Sequence, residues 1–358
     1  MIKNQFVSAK KEDSNFLNLL MGHSHPGLRP IPIQSLNVGM TNEIVTFELV
    51  PLDQLRKPNW FIRFAGIIKL KSFILILFPF FFVLAKSGIQ IGVSDPVSLF
   101  LAIIAVAFIF SGLNIRNDIV DHISGFDRVN ISTSPKPILA GWATAYNLNK
   151  VSWALMICGL FVSLPVLLLQ PLTIAVVIPV SLFILFGQFQ KQNSYKNKFF
   201  GEFILFLIMG LGLVTGLQLA SGGVVDFQTL VFGIFWGSLV QFLLHMNNFS
   251  HLMTSTQAGI KNSITRLGFD HAKLFLAFWW LGCLTVWGWY HFLFSFGEFW
   301  WGSSLVLVFV SILFFIRLLR IASPLGSELR KIQRFSYLLF LMMVAILFIE
   351  MIGTSWRL

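Results

Sequence analysis

The feature that most constrains this chain is a series of long apolar runs. A helix needs about 20 mostly apolar residues to cross the roughly 30 Å hydrocarbon core of a bilayer. Only 11% of the residues are charged, whereas a soluble globular domain carries about 25%. We therefore predict an all-α, polytopic membrane bundle of nine transmembrane helices. The candidate spans are 67–86, 97–116, 148–169, 172–190, 200–220, 228–248, 273–294, 299–320 and 335–353.

The basic residues predict an orientation for this bundle. The chain has 26 Lys and Arg, and, when residues at the adjoining span ends are included, all except Lys86 and Arg357 fall in the N-terminal segment or in the loops after even-numbered spans. Cytoplasmic loops are enriched in these residues. We therefore expect the N-terminus in the cytoplasm and the C-terminus outside. Because the basic residues are distributed among these loops, we expect no nucleic-acid partner.

The first 62 residues differ in composition from the rest. They are mostly polar, so we predict a cytoplasmic extension at 1–62 and the membrane domain at 63–358. Within the extension, residues 43–52 alternate between apolar and polar types, which indicates a short strand. The two cysteines, Cys158 and Cys283, lie far apart in apolar runs. Their spacing gives neither a disulfide framework nor a thiolate metal site.

Acidic residues are concentrated after the second span, in NIRNDIVDHISGFDR at 114–128. Asn114 and Asp118 are spaced i, i+4, as are Asn117 and Asp121, so each pair shares a helix face. Amide and carboxylate oxygens are hard ligands suited to Mg²⁺, which is usually held by one or two carboxylates and substrate phosphates. A phosphorylated substrate is one interpretation, and a transporter ion site is the other.

Basic residues nearby fit an anionic substrate but have a second explanation. Arg128 and Lys136 follow the acids, and a cation beside a metal suits a pyrophosphate. Lys136 is also typical of a topology-determining lysine. In KQNSYKNKFFGEF, at 191–203, Tyr195 and Lys196 precede the fifth span. Glu202 opens that span, and it is either a capping residue or a functional one.

Taken together, these segments resemble the UbiA family of membrane prenyltransferases, and in particular its 1,4-dihydroxy-2-naphthoate prenyltransferase (MenA-like) branch. The branch pattern NDxxDxxxGxD matches NDIVDHISGFD at 117–127. The RPxxxG pattern that follows appears as KPILAG at 136–141. A first-helix pattern appears as KLKSF at 69–73 with Pro79, and a YKxLGE-type segment appears as YKNKFFGE at 195–202.

The resemblance implies an enzyme, a prenyl-group transferase with Mg²⁺ as cofactor. It would transfer an isoprenyl group from a polyprenyl pyrophosphate to an aromatic, quinone-precursor-like acceptor at the cytoplasmic face of a bacterial inner membrane. Asn117 and Asp121 would be metal ligands, and Asp118, Asp121 and Lys136 would be catalytic. The expected substrate-binding residues are Asn114, Asp127, Arg128, Tyr195, Lys196, Asn247, Asn248, His251, Ser255 and Lys261.

The second metal motif of the family departs from its pattern here. NNxRDxxxDxxAGK aligns with NNFSHLMTSTQAGI at 247–260, so Ser250 replaces the arginine and His251 and Ser255 replace the two aspartates. One hypothesis is an active transferase with a one-motif metal site, in which Lys136, Lys196 and Lys261 cover the lost charge. A second is a UbiA-fold terpene cyclase or a catalytically impaired isoprenoid-binding relative. A third is an unrelated transporter or channel.

Overall fold

In the computed structural model, helices account for most of the chain. The structure describes residues 5–23, 27–89, 95–129, 136–188, 201–294, 299–324 and 327–355. The N-terminal elements are β1 (Gln5–Lys10), α1 (Phe16–Met21), β2 (Leu28–Leu36) and β3 (Ile44–Pro51). The helices that follow are α2 (Trp60–Ile68), α3 (Ile74–Ile89), α4 (Pro96–Ser124), α5 (Phe126–Val129), α6 (Ala145–Leu169), α7 (Ile174–Gln188), α8 (Gly201–Leu207), α9 (Leu213–Ala220), α10 (Phe227–Ser250), α11 (Leu252–Gln257), α12 (Ser263–Phe294), α13 (Phe299–Leu319) and α14 (Ser327–Ser355).

Within the described residues, seven helices are long and apolar enough to cross a membrane. A further candidate is a bent pair, Trp60–Ile68 with Leu70–Lys86, whose halves meet at 50°. Pro171–Ser181 is apolar but shorter than a span. The predicted helical membrane architecture is confirmed, while the total of nine helices and the cytoplasmic N-terminus stay predictions.

The second predicted span is longer than its apolar run. α4 continues to Ser124, so the helix extends beyond the predicted end of the span at residue 116, and Asn117 and Asp121 lie on it as their i, i+4 spacing indicated. Gly125 then adopts a φ of 90°, a left-handed conformation that commonly ends a helix. The chain restarts as α5, which carries Asp127.

The N-terminal segment contains a three-stranded antiparallel sheet in the order β1-β3-β2. Alternate residues of β3 are buried, and they pack with α1 through a core of Ala9, Phe16, Leu19, Leu20, Val45 and Phe47. The strand predicted at 43–52 is confirmed as β3. The other two strands were not predicted; β2 contains Pro30 and Pro32, which suit an edge strand but weaken a strand pattern in sequence.

The chain forms two compact units. The first comprises Met1–Phe73, Ile104–Phe161 and Thr254–Ile260, and the second comprises Ile74–Ile103, Val162–Met253 and Lys261–Leu358. The predicted division at residues 62 and 63 stays a prediction. The first unit contains the N-terminal sheet and the first acidic motif, and the second contains most of the apolar helices.

A glycine contact brings two helices of the second unit very close together. A Cβ atom at Gly210 would lie 2.7 Å from the Cα atom of Gly237, and one at Gly237 would lie 2.6 Å from the Phe206 carbonyl oxygen. Small residues allow this close backbone approach in membrane bundles. Glu202 precedes Gly210 by eight residues and His245 follows Gly237 by eight. In antiparallel helices, equal offsets from the crossing place these side chains opposite each other.

Candidate functional site

The C-terminal part of α4 carries the polar residues of the first motif. Asn114 donates its amide N–H to the Ile68 carbonyl at 3.3 Å and to the Ser72 hydroxyl at 3.2 Å. One turn further along, a carboxylate oxygen of Asp118 lies 2.6 Å from the Lys69 ammonium. The segment KLKSF therefore lies against the first motif within the first unit, as an ordered part of the site.

Lys69 reaches Asp118 from an uncommon backbone conformation. It is the C-cap of α2, with a φ of 57° and a ψ of 53°, and non-glycine residues adopt this left-handed region only infrequently. The same residue marks the 50° bend between α2 and the following helix. Because Asp118 is 4% exposed, the ion pair compensates a carboxylate that is largely removed from water.

A second group of polar side chains lies near the α4–α5 turn. Asn117 donates its amide N–H to the Asp121 carboxylate at 3.2 Å, and the Lys136 ammonium lies 3.0 Å from Asp127. Burial raises the pKa of the Asp127 carboxyl; Lys136 opposes this, and the charges of Asp121 and Asp118 reinforce it. Burial lowers the pKa of Lys136, but the carboxylates of Asp127, Asp118 and Asp121 outweigh burial and raise it. Three acids and one lysine are thus electrostatically coupled.

The donors of this first-motif site fit Mg²⁺. In the described part of the chain, no three acidic, histidine or cysteine side chains are close enough to hold a metal alone. Mg²⁺ commonly needs only one or two carboxylates, with substrate phosphates and water completing its octahedron. Asn117 and Asp121 supply an amide and a carboxylate oxygen on one face. Lys69 and Lys136, with side chains 34% and 22% exposed, add positive charge for an anion.

Arg128 lies in the same region but points into the protein. Its guanidinium pairs with Glu43, which immediately precedes β3, and donates to the His122 carbonyl. The side chains of Arg128 and Glu43 are 3% and 2% exposed. Sequence reasoning gave Arg128 a role in substrate binding and did not single out Glu43. The partner of this arginine comes from 85 residues away, a separation for which the sequence has no local signal.

The second unit contains a polar network around Glu202. One oxygen of this carboxylate accepts from Gln241 at 3.1 Å and faces Nδ1 of His245 at 3.3 Å. Its other oxygen accepts from the Asn248 amide at 3.0 Å. Residues 241, 245 and 248 follow the i, i+4, i+7 spacing of one helix face. That spacing was a signal available in the sequence, yet Gln241 and His245 were not predicted, and Glu202 was left between capping and function.

His245 is held by contacts at both ring nitrogens. Nε2 lies 3.1 Å from the Ala272 carbonyl oxygen, and Nδ1 lies 3.3 Å from the Glu202 oxygen that also accepts from Gln241. The two Glu202 oxygens are therefore surrounded by the amide N–H groups of Gln241 and Asn248 and by the imidazole of His245.

The remaining residues of the second motif have varied environments. Asn247 is half-buried, and its backbone carbonyl accepts from the Ser250 hydroxyl at 2.7 Å. His251 is the half-buried C-cap of α10. Ser255 is 3% exposed on α11, while Lys261 is exposed. Two further predicted residues, Tyr195 and Lys196, lie outside the described residues.

Comparison with known proteins identifies the family. The sequence model of the UbiA prenyltransferase family matches residues 76–344. A structure of digeranylgeranylglyceryl phosphate synthase is 18% identical, with a TM-score of 0.57 over 83% of this chain and 99% of that chain. A UbiA homolog from Archaeoglobus fulgidus bound to GPP and Mg²⁺ is 15% identical, with a TM-score of 0.51 over 79% and 99%.

The same homolog bound to DMAPP and Mg²⁺ is also 15% identical, with a TM-score of 0.52 over 79% of this chain and 98% of that chain. These structural likenesses concern the fold alone. No curated protein sequence matches the chain. Because the family model spans well over half of the 358 residues, the chain belongs to the UbiA prenyltransferase family.

Proposed function

We propose that this protein transfers an isoprenyl group from a polyprenyl diphosphate to an aromatic, quinone-precursor-like acceptor with the help of Mg²⁺, as in the MenA-like branch. One observation carries the proposal: the oxygen donors of Asn117 and Asp121 occur together with two partly exposed lysines on the first-motif site. A diphosphate with Mg²⁺ needs both kinds of group. The GPP and DMAPP bound with Mg²⁺ in the Archaeoglobus fulgidus homolog support this choice of donor.

The chemistry requires departure of diphosphate from an allylic carbon. Mg²⁺, when bound, offsets the charge that develops on the leaving group. Asn117 and Asp121 would hold the ion through their side-chain oxygens. Lys69 and Lys136 would donate hydrogen bonds to the diphosphate, and such positioned donors stabilise charge in the transition state. The acceptor's π electrons then form the new carbon–carbon bond, and the acceptor loses a proton.

The ion pairs within the first-motif site make it responsive to its ligand. Lys69 and Lys136 neutralise Asp118 and Asp127 when no anion is present. A bound metal would compete with each lysine for carboxylate oxygens, and a diphosphate would accept the ammonium hydrogens. The same two lysines therefore contribute both to stability and to substrate binding. Asp118 and Asp127 belong to the site for this reason, although both are paired.

The second motif supports a second candidate function. His251 and Ser255 stand where the family pattern has acids, and Ser255 is buried. A site that keeps the first motif but has lost the acids of the second is also compatible with a cyclase, in which the allylic cation reacts with its own chain. It would equally suit an isoprenoid-binding relative without turnover.

Mass spectrometry of lipid-soluble products distinguishes these functions. Purified protein is incubated with labelled isoprenyl diphosphates and Mg²⁺, with and without a panel of aromatic acceptors. We expect an acceptor-plus-prenyl product that requires Mg²⁺ and is lost in Asp121→Ala. A cyclised hydrocarbon or alcohol in samples without acceptor would show that the protein is a cyclase rather than a transferase. No consumption of any donor by folded protein would contradict both enzymatic functions.

A further inference from the structure

We propose that the N-terminal sheet, defined as β1, β2 and β3, holds the first motif in its working conformation, with Glu43 as the positioning residue. This inference rests on the proposed function in one respect, because it takes prenyl diphosphate as the ligand of the first motif. The sheet lies before residue 76, where the match to the family model begins. Its role therefore has to come from the contacts it makes in this chain.

Glu43 is a buried carboxylate that joins several segments. One oxygen pairs with the Arg128 guanidinium, and the other accepts from the Gly39 backbone N–H at 3.3 Å. The Lys11 ammonium lies 3.6 Å from that second oxygen. With Glu43 2% exposed, its charge is compensated by protein groups rather than by water. The Glu43–Arg128 ion pair thus links the β2–β3 connection to the α4–α5 turn.

Further contacts between the N-terminal segment and the motif segments lie away from Glu43. His122 Nε2 lies 3.1 Å from the Leu20 carbonyl oxygen, and an Arg29 N–H donates to the Gly141 carbonyl at 2.7 Å. A Cβ atom at Gly39 would lie 3.1 Å from the Ala258 carbonyl oxygen. The contacts therefore reach the first motif, the KPILAG segment and the Ala–Gly end of the second motif.

The Glu43–Arg128 pair controls the position of Asp127. Arg128 is the next residue in the short helix α5, and it also donates to the His122 carbonyl at the end of α4. The backbone between these points turns at Gly125, which has a φ of 90° and whose N–H donates to the His122 carbonyl at 3.3 Å. Removing one partner of a buried ion pair leaves a charge without compensation. The α4–α5 turn would move to hydrate Arg128, and Asp127 would move with it.

This arrangement also assigns a structural role to Arg128. Its 3% exposed side chain is directed to Glu43 and the His122 carbonyl, so within the described part of the first-motif site Lys69 and Lys136 are the partly exposed cations that could contact a diphosphate. Arg128 acts on the ligand through the position of Asp127 and is a positioning residue rather than a catalytic one.

Hydrogen–deuterium exchange in the full-length protein tests the proposal without requiring a ligand. Backbone exchange of residues 122–129 is compared among wild type, Glu43→Gln and a control, Glu12→Gln, which changes an exposed acid of the same N-terminal segment. We expect exchange to become roughly tenfold faster in Glu43→Gln through more frequent local opening, and to stay unchanged in the control. A double variant, Glu43→Gln with Arg128→Gln, buries neither charge and keeps the test usable if the single variant folds poorly. It should regain thermal stability and keep the faster exchange.

Calorimetric binding of geranyl diphosphate with Mg²⁺ to the same proteins completes the test. We expect the Kd to rise about tenfold in Glu43→Gln and in the double variant, as the displaced Asp127 changes the diphosphate environment. Unchanged exchange at 122–129 in folded Glu43→Gln and double variants would overturn the proposal. So would wild-type affinity in variants whose exchange has increased. If the wild type binds no prenyl diphosphate while exchange responds as expected, the structural role of Glu43 stands and the proposed function fails.

Discussion

The Lys69 ammonium lies 2.6 Å from the Asp118 carboxylate and reaches it from a left-handed backbone conformation at the end of α2. A non-glycine residue in that region stores backbone strain of about 1–3 kcal/mol, which surrounding contacts must offset. The ion pair, together with the two hydrogen bonds from Asn114 to Ile68 and Ser72, supplies such contacts. These contacts attach residues 68–72, where the chain bends after α2, to the first motif.

Replacing Lys69 with Met should therefore affect both stability and activity. The variant leaves Asp118, which is 4% exposed, without its cation. Since Lys69 itself is one-third exposed, we expect a loss near 1–3 kcal/mol, below the full cost of breaking a buried pair. Prenyl transfer should fall by at least tenfold because the variant lacks a side chain proposed to donate hydrogen bonds to the diphosphate. Thermal unfolding and turnover are measured for this variant and for Lys71→Met, which changes an exposed neighbour. Equal behaviour of the two variants would refute the role of Lys69.

Removing the Glu202 charge should destabilise the second unit. Glu202→Gln removes the carboxylate that His245 faces and turns an amide N–H toward the donors of Gln241 or Asn248. Unsatisfied buried groups cost about 1–3 kcal/mol each, and charged ones cost more. We therefore expect a lower unfolding temperature for Glu202→Gln. The control is Glu328→Gln, which removes a 61% exposed carboxylate of a surface pair.

A double-variant cycle shows whether Glu202 and His245 act as a pair. In Glu202→Gln with His245→Gln, both partners of the contact are replaced, so the destabilisation should be smaller than the sum of the two single changes by about 0.5–3 kcal/mol. Strict additivity would contradict a direct interaction between Glu202 and His245.

The glycine crossing makes a prediction about helix packing. A side chain at Gly237 would meet the Phe206 carbonyl and Gly210, whereas a Cβ atom at Gly282 meets nothing within 4 Å. Overpacking usually costs 1–3 kcal/mol, and more where backbone must move. Gly237→Leu should reach the upper part of that range and lower the unfolding temperature, while Gly282→Leu on α12 should not, because leucine is the better helix former. Equal unfolding temperatures for the two variants would show that the close crossing is not required.

Asp226 provides a pH-dependent contribution at the N-terminus of α10. It accepts from the Thr229 backbone N–H at 2.9 Å and pairs with Lys86. Burial raises the pKa of Asp226, but the hydrogen bonds from Lys86 and Thr229 outweigh burial and hold it below its usual value. A lowered carboxyl pKa stabilises the fold above the unfolded-state value of about 3.9, and this contribution is lost as the pH falls through the folded-state pKa.

Asp226→Asn should therefore lower the unfolding temperature at neutral pH by an amount that corresponds to about 1 kcal/mol, because asparagine can still cap the helix but lacks the negative charge that pairs with Lys86 and favours the helix N-terminus. The difference from wild type should persist from pH 7 to pH 5, begin to shrink below about pH 4, where the unfolded chain takes up the proton, and disappear below the lowered folded-state pKa of Asp226. Asp270→Asn, which changes an 82% exposed carboxylate, is the control. A difference that grew toward acidic pH would have the wrong sign for this account.

The sequence was sufficient for the features that depend on local composition and spacing. Long apolar runs predicted a helical membrane protein, and the spacing of Asn117 and Asp121 predicted a shared face, which the 3.2 Å contact supports. The Glu202–His245 contact was not predictable because it depends on where α8 and α10 cross. Glu43 and Arg128 are similarly distant in sequence. These pairings depend on which helices and strands pack together in three dimensions and on how deeply they are buried. Neither property can be read from the residues next to each partner in the sequence.

The most direct test of the central claim is calorimetric binding of geranyl diphosphate to wild type and to Asp121→Ala, each with Mg²⁺ and with EDTA. The claim is that the face of α4 bearing Asn117 and Asp121 binds a prenyl diphosphate through Mg²⁺. We predict binding by wild type that requires Mg²⁺ and is weakened at least tenfold in Asp121→Ala, because Mg²⁺ is usually held by only one or two carboxylates and this variant removes one; a tenfold change corresponds to about 1.4 kcal/mol. Equal affinity in EDTA, or an unchanged Kd for Asp121→Ala with Mg²⁺, would contradict it.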